Sequence, residues 1–268
     1  MDTQFYYYNN KKIAFTTSGS GDVLVLLHGF MESQKIWGDF TKVLSQKYKV
    51  ITFDLPGHGD SECINEIHTM GLMADCIKTG LDHIAVTKCV LIGHSMGGYV
   101  ALSFAEKFPQ MLIGLGLFHS HAYADTDEAK HNRDRSCEIV KQNRASFIAN
   151  FIPELFAPEN VVKYQKEINQ LQQYIKDMSV DAIVAAQQGM KLREAKLEVI
   201  KEAKYPMLFI FGKQDPRTPL PKTLELTSLA KHSETLIIDV GHMGYIEARD
   251  ETLQTIDCFT NKCYKKNT

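Results

Sequence analysis

Short apolar runs that stop abruptly at glycine, histidine or aspartate recur along the chain, and no other feature narrows its fold as much. Val23-Leu24-Val25-Leu26-Leu27 ends at His28-Gly29, and Lys49 to Phe53 ends at Asp54. Cys89-Val90-Leu91-Ile92 ends at Gly93, Leu112 to Phe118 at His119, and Met207 to Phe211 at Gly212. Thr235 to Ile238 runs into Val240-Gly241-His242. A run that is apolar on both faces fits a parallel strand covered by helices better than a strand with one wet face. Between the runs, residues 33–46, 69–84, 98–108, 220–231 and 247–259 read as helices. Strands alternating with helices imply right-handed crossovers and an α/β fold, one mostly parallel sheet with helices on both faces. Functional loops of such sheets gather at the carboxyl ends of the strands, where this chain keeps its unusual residues.

Two stretches depart from the rhythm. Phe5 to Tyr8 and Lys12 to Thr16 read as a β-hairpin around Asn9-Asn10, residues that tolerate the positive φ of a tight turn. From about Ala122 to about Arg193 only helices are legible. Asp125-x-x-Glu128 has the form of a capping box opening a helix through Gln142. Val161, Ile168, Leu171, Ile175 and Met178 keep helical spacing, and Ser179 is placed to cap residues 180–191. The expected organisation is a core of residues 1–121 and 194–268 with an inserted all-helical cap, 122–193.

Composition narrows the function. The 268 residues are 44% hydrophobic and 23% charged, with a formal net charge of -2, so a basic stripe for nucleic acid is not expected. No run approaches the eighteen or so apolar residues of a membrane helix. The amino terminus from Met1 lacks the basic and apolar segments of a secretory signal. Six scattered cysteines without a C-x-x-C pair carry no zinc or redox spacing and read as reduced packing residues, with the cytoplasm as the expected location.

The strongest chemical signal is Gly93-His94-Ser95-Met96-Gly97-Gly98, set between an apolar strand and a helix. G-x-S-x-G in that context is a nucleophile elbow, a turn so tight that its flanking positions exclude side chains. A serine hydroxyl needs a base, and among ten histidines His242 alone follows the last apolar strand. His28, His58 and His94 lie beside glycines at other strand ends and read as loop braces, while His68, His83, His131 and His232 read as surface or helix residues. The imidazole needs a carboxylate to fix its tautomer. Asp215, just after the preceding strand, is the choice, with Asp239 as the alternative. An oxyanion hole would take the amide of Met96 and that of Phe30 in the turn after His28-Gly29. His119-x-His121 lacks the context of a metal pair, so no metal is expected.

His28-Gly29-Phe30, Asp54-Leu55-Pro56-Gly57-His58-Gly59-Asp60-Ser61, the elbow, Gly212-x-x-Asp215 and Gly241-His242 together resemble the α/β-hydrolase superfamily. The likeness is nearest to small-molecule esterases, enol-lactone hydrolases and carbon–carbon bond hydrolases with a helical cap, and Gly189-Met190-x-x-Arg193 echoes a segment of these enzymes. The resemblance implies a cofactor-free hydrolase acting on a small-molecule ester through an acyl-enzyme. Lactone, thioester or carbon–carbon cleavage, and a non-catalytic receptor role, remain open alternatives. Ser95 stands where haloalkane dehalogenases and epoxide hydrolases carry aspartate, which argues against both. The pocket is expected to include His28, His94, Phe147, Phe151 and Met243. Nothing in the sequence separates a monomer from a homodimer.

Overall fold

The structure, a computed structural model, describes residues 2–265; Met1, where the amino-terminal reading begins, and residues 266–268, at the end of the expected core, lie outside them. The hairpin is β1 (Gln4–Tyr8) and β2 (Lys11–Ser18), with Asn9 and Asn10 at φ 49° and 61°. There follow β3 (Val23–Leu27), β4 (Lys49–Phe53), β5 (Cys89–His94), β6 (Leu112–Phe118), β7 (Met207–Gly212) and β8 (Ser233–Ile238). They form one sheet in the order β1-β2-β4-β3-β5-β6-β7-β8. The β1–β2 and β2–β4 pairs are antiparallel and all others parallel. β5 and β7 are buried along their whole length, whereas edge strand β8 alternates between exposed and half-buried positions until its last residue, Ile238, which is buried.

The chain steps from β3 to β4 through α1 (Gly38–Leu44), returns past β3 to β5 through α2 (Met70–His83), and continues to β6 through α3 (Met96–Lys107). Right-handed crossovers in opposite directions put α1 on one face and α2 and α3 on the other. The carboxy-terminal α10 (Arg249–Lys265) shares the α1 face, where Arg249 meets Asp39 and Lys47 meets Asp257. The reversal at β3 opens a crevice at the carboxyl ends of β3 and β5.

Between β6 and β7 the described chain is helical: α4 (Asp127–Phe151), α5 (Gln165–Ile175), α6 (Val180–Lys191) and α7 (Leu197–Glu202). Ser179 caps α6, accepting from the Ala182 amide at 3.1 Å. The capping-box reading of Asp125 is corrected. Thr126 caps α4 by accepting from the Ala129 amide at 3.2 Å, and the Asp125 carboxylate is already committed to Arg133 and Arg193. The first stretch of this helix does end at Gln142, as expected. The helix breaks at Asn143 (φ -154°, ψ 81°), whose side chain accepts from the Ser146 amide at 3.0 Å and so starts the helix again.

Other boundaries moved for local reasons. Residues 34–37 form a 3-10 turn before α1, because Asp54 takes the Gln34 amide at 2.7 Å and holds that segment outside the helix. α8 (Leu220–Thr227) stops early where the Thr227 and Ser228 hydroxyls bond back to the carbonyls of Leu224 and Glu225. A short α9 (Gly244–Glu247) precedes α10, which runs past Phe259 to pack Phe259 and Cys263 against the sheet. His68, expected at the surface or in a helix, lies before α2, is fully buried and accepts from the Ile64 amide.

Strand register sets the geometry of the rim. Leu27 pairs with Gly93, His94 with Phe118, Phe118 with Ile210, and Gly212 with Ile238. The segments just beyond these pairs, carrying Phe30, Ser95, His119, Asp215 and His242, therefore emerge side by side.

Candidate active site

Ser95 sits between β5 and α3 at φ 50° and ψ -116°, a left-handed conformation costly for a residue with a Cβ. A Cβ on Gly93 would come within 2.2 Å of the Gly97 carbonyl oxygen, and one on Gly97 within 2.6 Å of that of His28. Both glycines are thus dictated by close backbone approach. Hydrogen bonds hold the strained turn: the Ser95 amide donates to Phe118 O at 2.9 Å, and the Ser120 hydroxyl to Ser95 O at 2.8 Å. The result lifts the Ser95 hydroxyl clear of the sheet.

His242 lies in the loop after β8, with Nε2 2.8 Å from Ser95 Oγ and Nδ1 2.8 Å from Asp215 Oδ2. Its amide donates to Leu155 O at 2.6 Å, tying the loop to the helical insertion. Asp215 is buried in the turn after β7. Its Oδ1 accepts from the Arg217 and Thr218 amides at 2.8 and 3.0 Å, and its Oδ2 also takes the Thr218 hydroxyl at 2.5 Å. Burial opposes its ionisation, yet His242 and His119 hold the carboxyl well below the usual carboxylate range. Asp239 is exposed, lies one residue beyond β8, and binds Gln214.

His119 is a site residue that the sequence did not reveal. Its Nδ1 stands 2.9 Å from the same Asp215 Oδ2. Burial pushes its pKa down to about 4 despite the neighbouring carboxylate, so the ring is neutral and donates through Nδ1. Only its place just past Phe118 in register with β7 could have signalled the role. His119, Asp215 and His242 present ligand atoms within 4.8 Å of one another. Both Nδ1 atoms face one carboxylate oxygen, and in the neutral rings each donates to it, which leaves the lone pair of each ring on Nε2.

The turn after β3 approaches Ser95 closely. A Cβ on Gly29 would lie 3.1 Å from Ser95 Cβ, and the amide of Phe30 follows directly. Met96 opens α3, so its amide has no partner one helical turn earlier.

A cleft of about 830 Å³ opens above Ser95 and His242. Among the sequence-derived pocket residues, His94, Phe147 and Phe151 line it, as does Phe30. Phe147 and Phe151 stack at 5.5 Å, and Phe151 meets Phe30 edge-on at 5.6 Å. His28 and Met243 lie outside the lining and are fully buried. The His28 Nε2 accepts from the Leu55 amide at 2.9 Å, so this ring braces the neighbouring loop.

Residues 22–130 match the family model for the α/β hydrolase fold. A thermophilic esterase from Thermogutta terrifontis, solved with malate bound, is 31% identical, with 94% of each chain covered and a TM-score of 0.90. The chain belongs to the α/β-hydrolase superfamily. An enol-lactonase from Burkholderia xenovorans shares the fold at a TM-score of 0.89 and 17% identity, covering 96% of this chain and 99% of its own. The acetyltransferase component of an acetoin cleaving system from Pseudomonas putida is 27% identical over 92% of this chain. This α/β-hydrolase chain spans 66% of that relative's length, and 32% of the length of an uncharacterized protein from Mycobacterium bovis.

The far wall of the α/β-hydrolase cleft is built around one carboxylate. Asp125, almost fully buried, pairs with Arg133 and, at 2.6 Å, with Arg193. Arg133 also donates to Gln187 at 2.9 Å, and Arg193 stacks over Tyr99 at 4.1 Å. The start of α4, the end of α6 and the loop after β6 are pinned together there. Among the described residues, no helix is long and apolar enough to cross a membrane.

Proposed function

We propose that the protein is a serine hydrolase that cleaves a small-molecule carboxylic ester through an acyl-enzyme. The observation that carries this reading is the unbroken line from Ser95 Oγ through His242 to Asp215, opening into the cleft. With Nδ1–H held by Asp215, the His242 Nε2 has a free lone pair for the Ser95 proton as the hydroxyl attacks the carbonyl. The amides of Phe30 and Met96 receive the oxyanion, where a single such donor is worth roughly 3–4 kcal/mol of barrier. His242 then protonates the leaving alcohol. It next activates water to release the acid and restore Ser95.

In this reading residues 122–193 form the cap that shapes the substrate pocket and the remainder is the hydrolase core. Phe30, Phe147 and Phe151 supply an apolar wall for one side of the ester. Among the described residues no cysteine is in a disulfide, which suits a reducing compartment such as the cytoplasm. The similarity to an esterase at 31% identity supports ester chemistry.

Nitrophenyl esters graded by acyl length, alongside thioesters and lactones, test the reaction class. Ser95→Ala is expected to lower kcat on the preferred ester by at least about 10⁴-fold, and a fluorophosphonate probe is expected to label wild type at Ser95. Equal turnover by both proteins would remove the serine mechanism. An unlabelled, inactive wild type would favour a ligand-binding role.

A further inference from the structure

Behind the Ser95–His242–Asp215 line lies a second histidine–carboxylate pair that the proposed reaction does not use. The His94 Nδ1 is 3.0 Å from Glu32 Oε2 and its Nε2 is 3.0 Å from the backbone oxygen of His242. Both partners are pure acceptors, so both ring nitrogens must carry protons. The same Glu32 Oε2 accepts from the Gly29 amide at 2.5 Å, and Glu32 Oε1 accepts from the Tyr245 hydroxyl at 2.9 Å. All three side chains are buried, and Glu32 and His94 reach the floor of the cleft.

We propose that Glu32, His94 and Tyr245 form a buried positioning cluster in which His94 is a permanent imidazolium that locks the oxyanion turn to the His242 loop. The idea rests on the serine hydrolase reading for its catalytic consequence, and on geometry alone for the charge state. Each anchor has a defined target. Through Gly29 the Glu32 carboxylate fixes the peptide preceding the Phe30 amide, and through His94 it fixes the main chain of His242. One carboxylate thereby sets the distance between the oxyanion donor and the base.

Charge balance requires Glu32 as well. The rings of His94 and His242 lie 5.1 Å apart, and His242 becomes cationic when it takes the Ser95 proton. Two adjacent imidazolium ions need two carboxylates, and Glu32 and Asp215 supply one each. A glutamine at position 32 cannot replace this. Its oxygen would meet Gly29 and His94 without charge, and its NH₂ turned toward them would oppose the Gly29 N–H.

Other groups facing His94 are accounted for. His28, just after β3, lies near Glu32 and is neutral, donating through Nδ1 to Gly29 O while its Nε2 accepts from Leu55. His119, after β6, is neutral and lies 6.1 Å away ring to ring. Asp215, after β7, is ionised, and Tyr245 is held neutral by burial and by the adjacent Glu32. Burial works against a charge on His94, but Glu32, the His242 carbonyl and Asp215 together raise its pKa.

The test combines histidine-selective ¹⁵N NMR with kinetics on the full chain. Wild type is expected to show one histidine with both ring nitrogens protonated from pH 6 to 9, absent from His94→Gln. Glu32→Gln is expected to abolish that signal, lower kcat about 10–100-fold with KM within twofold, and slow fluorophosphonate labelling in parallel. Tyr245→Phe, a milder change, is expected to lower kcat two- to fivefold and keep the signal. A His94 ring that is neutral at pH 7, or a folded Glu32→Gln with unchanged kcat, would overturn the proposal. If Glu32→Gln does not fold, the wild-type spectrum and Tyr245→Phe still decide it. If wild type cleaves nothing, the hydrolase reading fails, while the spectrum judges the imidazolium independently.

Discussion

Asp215 accepts five hydrogen bonds, and their arrangement determines what each substitution should do. Oδ2 gathers His242, His119 and the Thr218 hydroxyl, while Oδ1 takes two backbone amides. Asp215→Asn cannot keep this pattern, because an amide nitrogen facing His242 would force the other ring tautomer and move the lone pair away from Ser95. The expected outcome is a kcat about 10⁴-fold lower in ester hydrolysis, with KM changed by less than a few-fold. Asp239→Asn, at an exposed side chain bound to Gln214, should leave kcat within twofold. Ser95, His242 and Asp215 were legible in the sequence because each ends or follows a strand in a recognisable glycine-rich turn. Glu32 and His119 were not. Glu32 stands in the turn after Phe30 without a motif of its own, and His119 was weighed only as half of a metal pair. Their roles come from partners 62 and 96 residues away, a separation that no local pattern encodes.

At the scale of elements, the interior strands were readable because burial on both faces leaves an uninterrupted apolar run, as in β3 and β5. Helix ends were less so, since side chains that bind outside the helix move them. Asp125 illustrates this: its sequence position suits a cap, but two arginines compete for its carboxylate and win. The break in α4 has the same character, and it matters for substrate. Asn143 turns the last part of the helix, which carries Phe147 and Phe151 on the cleft wall. Asn143→Ala removes the acceptor for the Ser146 amide. A lost cap of this kind costs about 1 kcal/mol, readable in urea unfolding. Because the aromatic pair loses its fixed approach to Phe30, KM for the preferred ester should rise about two- to fivefold while kcat stays within twofold. An unchanged KM with the same stability loss would show that the aromatic wall is held by its packing alone.

The whole molecule folds around several titratable groups kept in one protonation state, and this shapes its stability against pH. His68 and His119 are pushed down to about 4 and His121 to about 3, in each case by burial first. Unfolded histidines titrate near 6.5. Below that value the unfolded chain binds protons that the folded chain refuses, so stability must fall as pH falls from about 6.5 toward 4. Each such histidine contributes up to roughly 1.4 kcal/mol per pH unit in that window. Asp215, whose pKa is depressed, retains its stabilising contribution throughout that interval and loses it only as the pH drops below the ordinary carboxylate range. His94 has the opposite sign. Its raised pKa gives a contribution complete below 6.5 and lost as pH rises through the folded value. Higher still, Cys76 and Cys89, pushed up to about 12, keep protons that unfolded thiols release above about pH 8.5, which again favours unfolding. The unfolding free energy should therefore peak near pH 6.5–7, with the steeper loss on the acid side, where His28 and His58, also lowered by burial, act together with His68, His119 and His121 and a single histidine opposes on the alkaline side. Urea midpoints at half-unit intervals from pH 4.5 to 9 measure this directly. Equal stability at pH 5 and pH 7 would mean that the buried imidazoles accept protons without disturbing the fold.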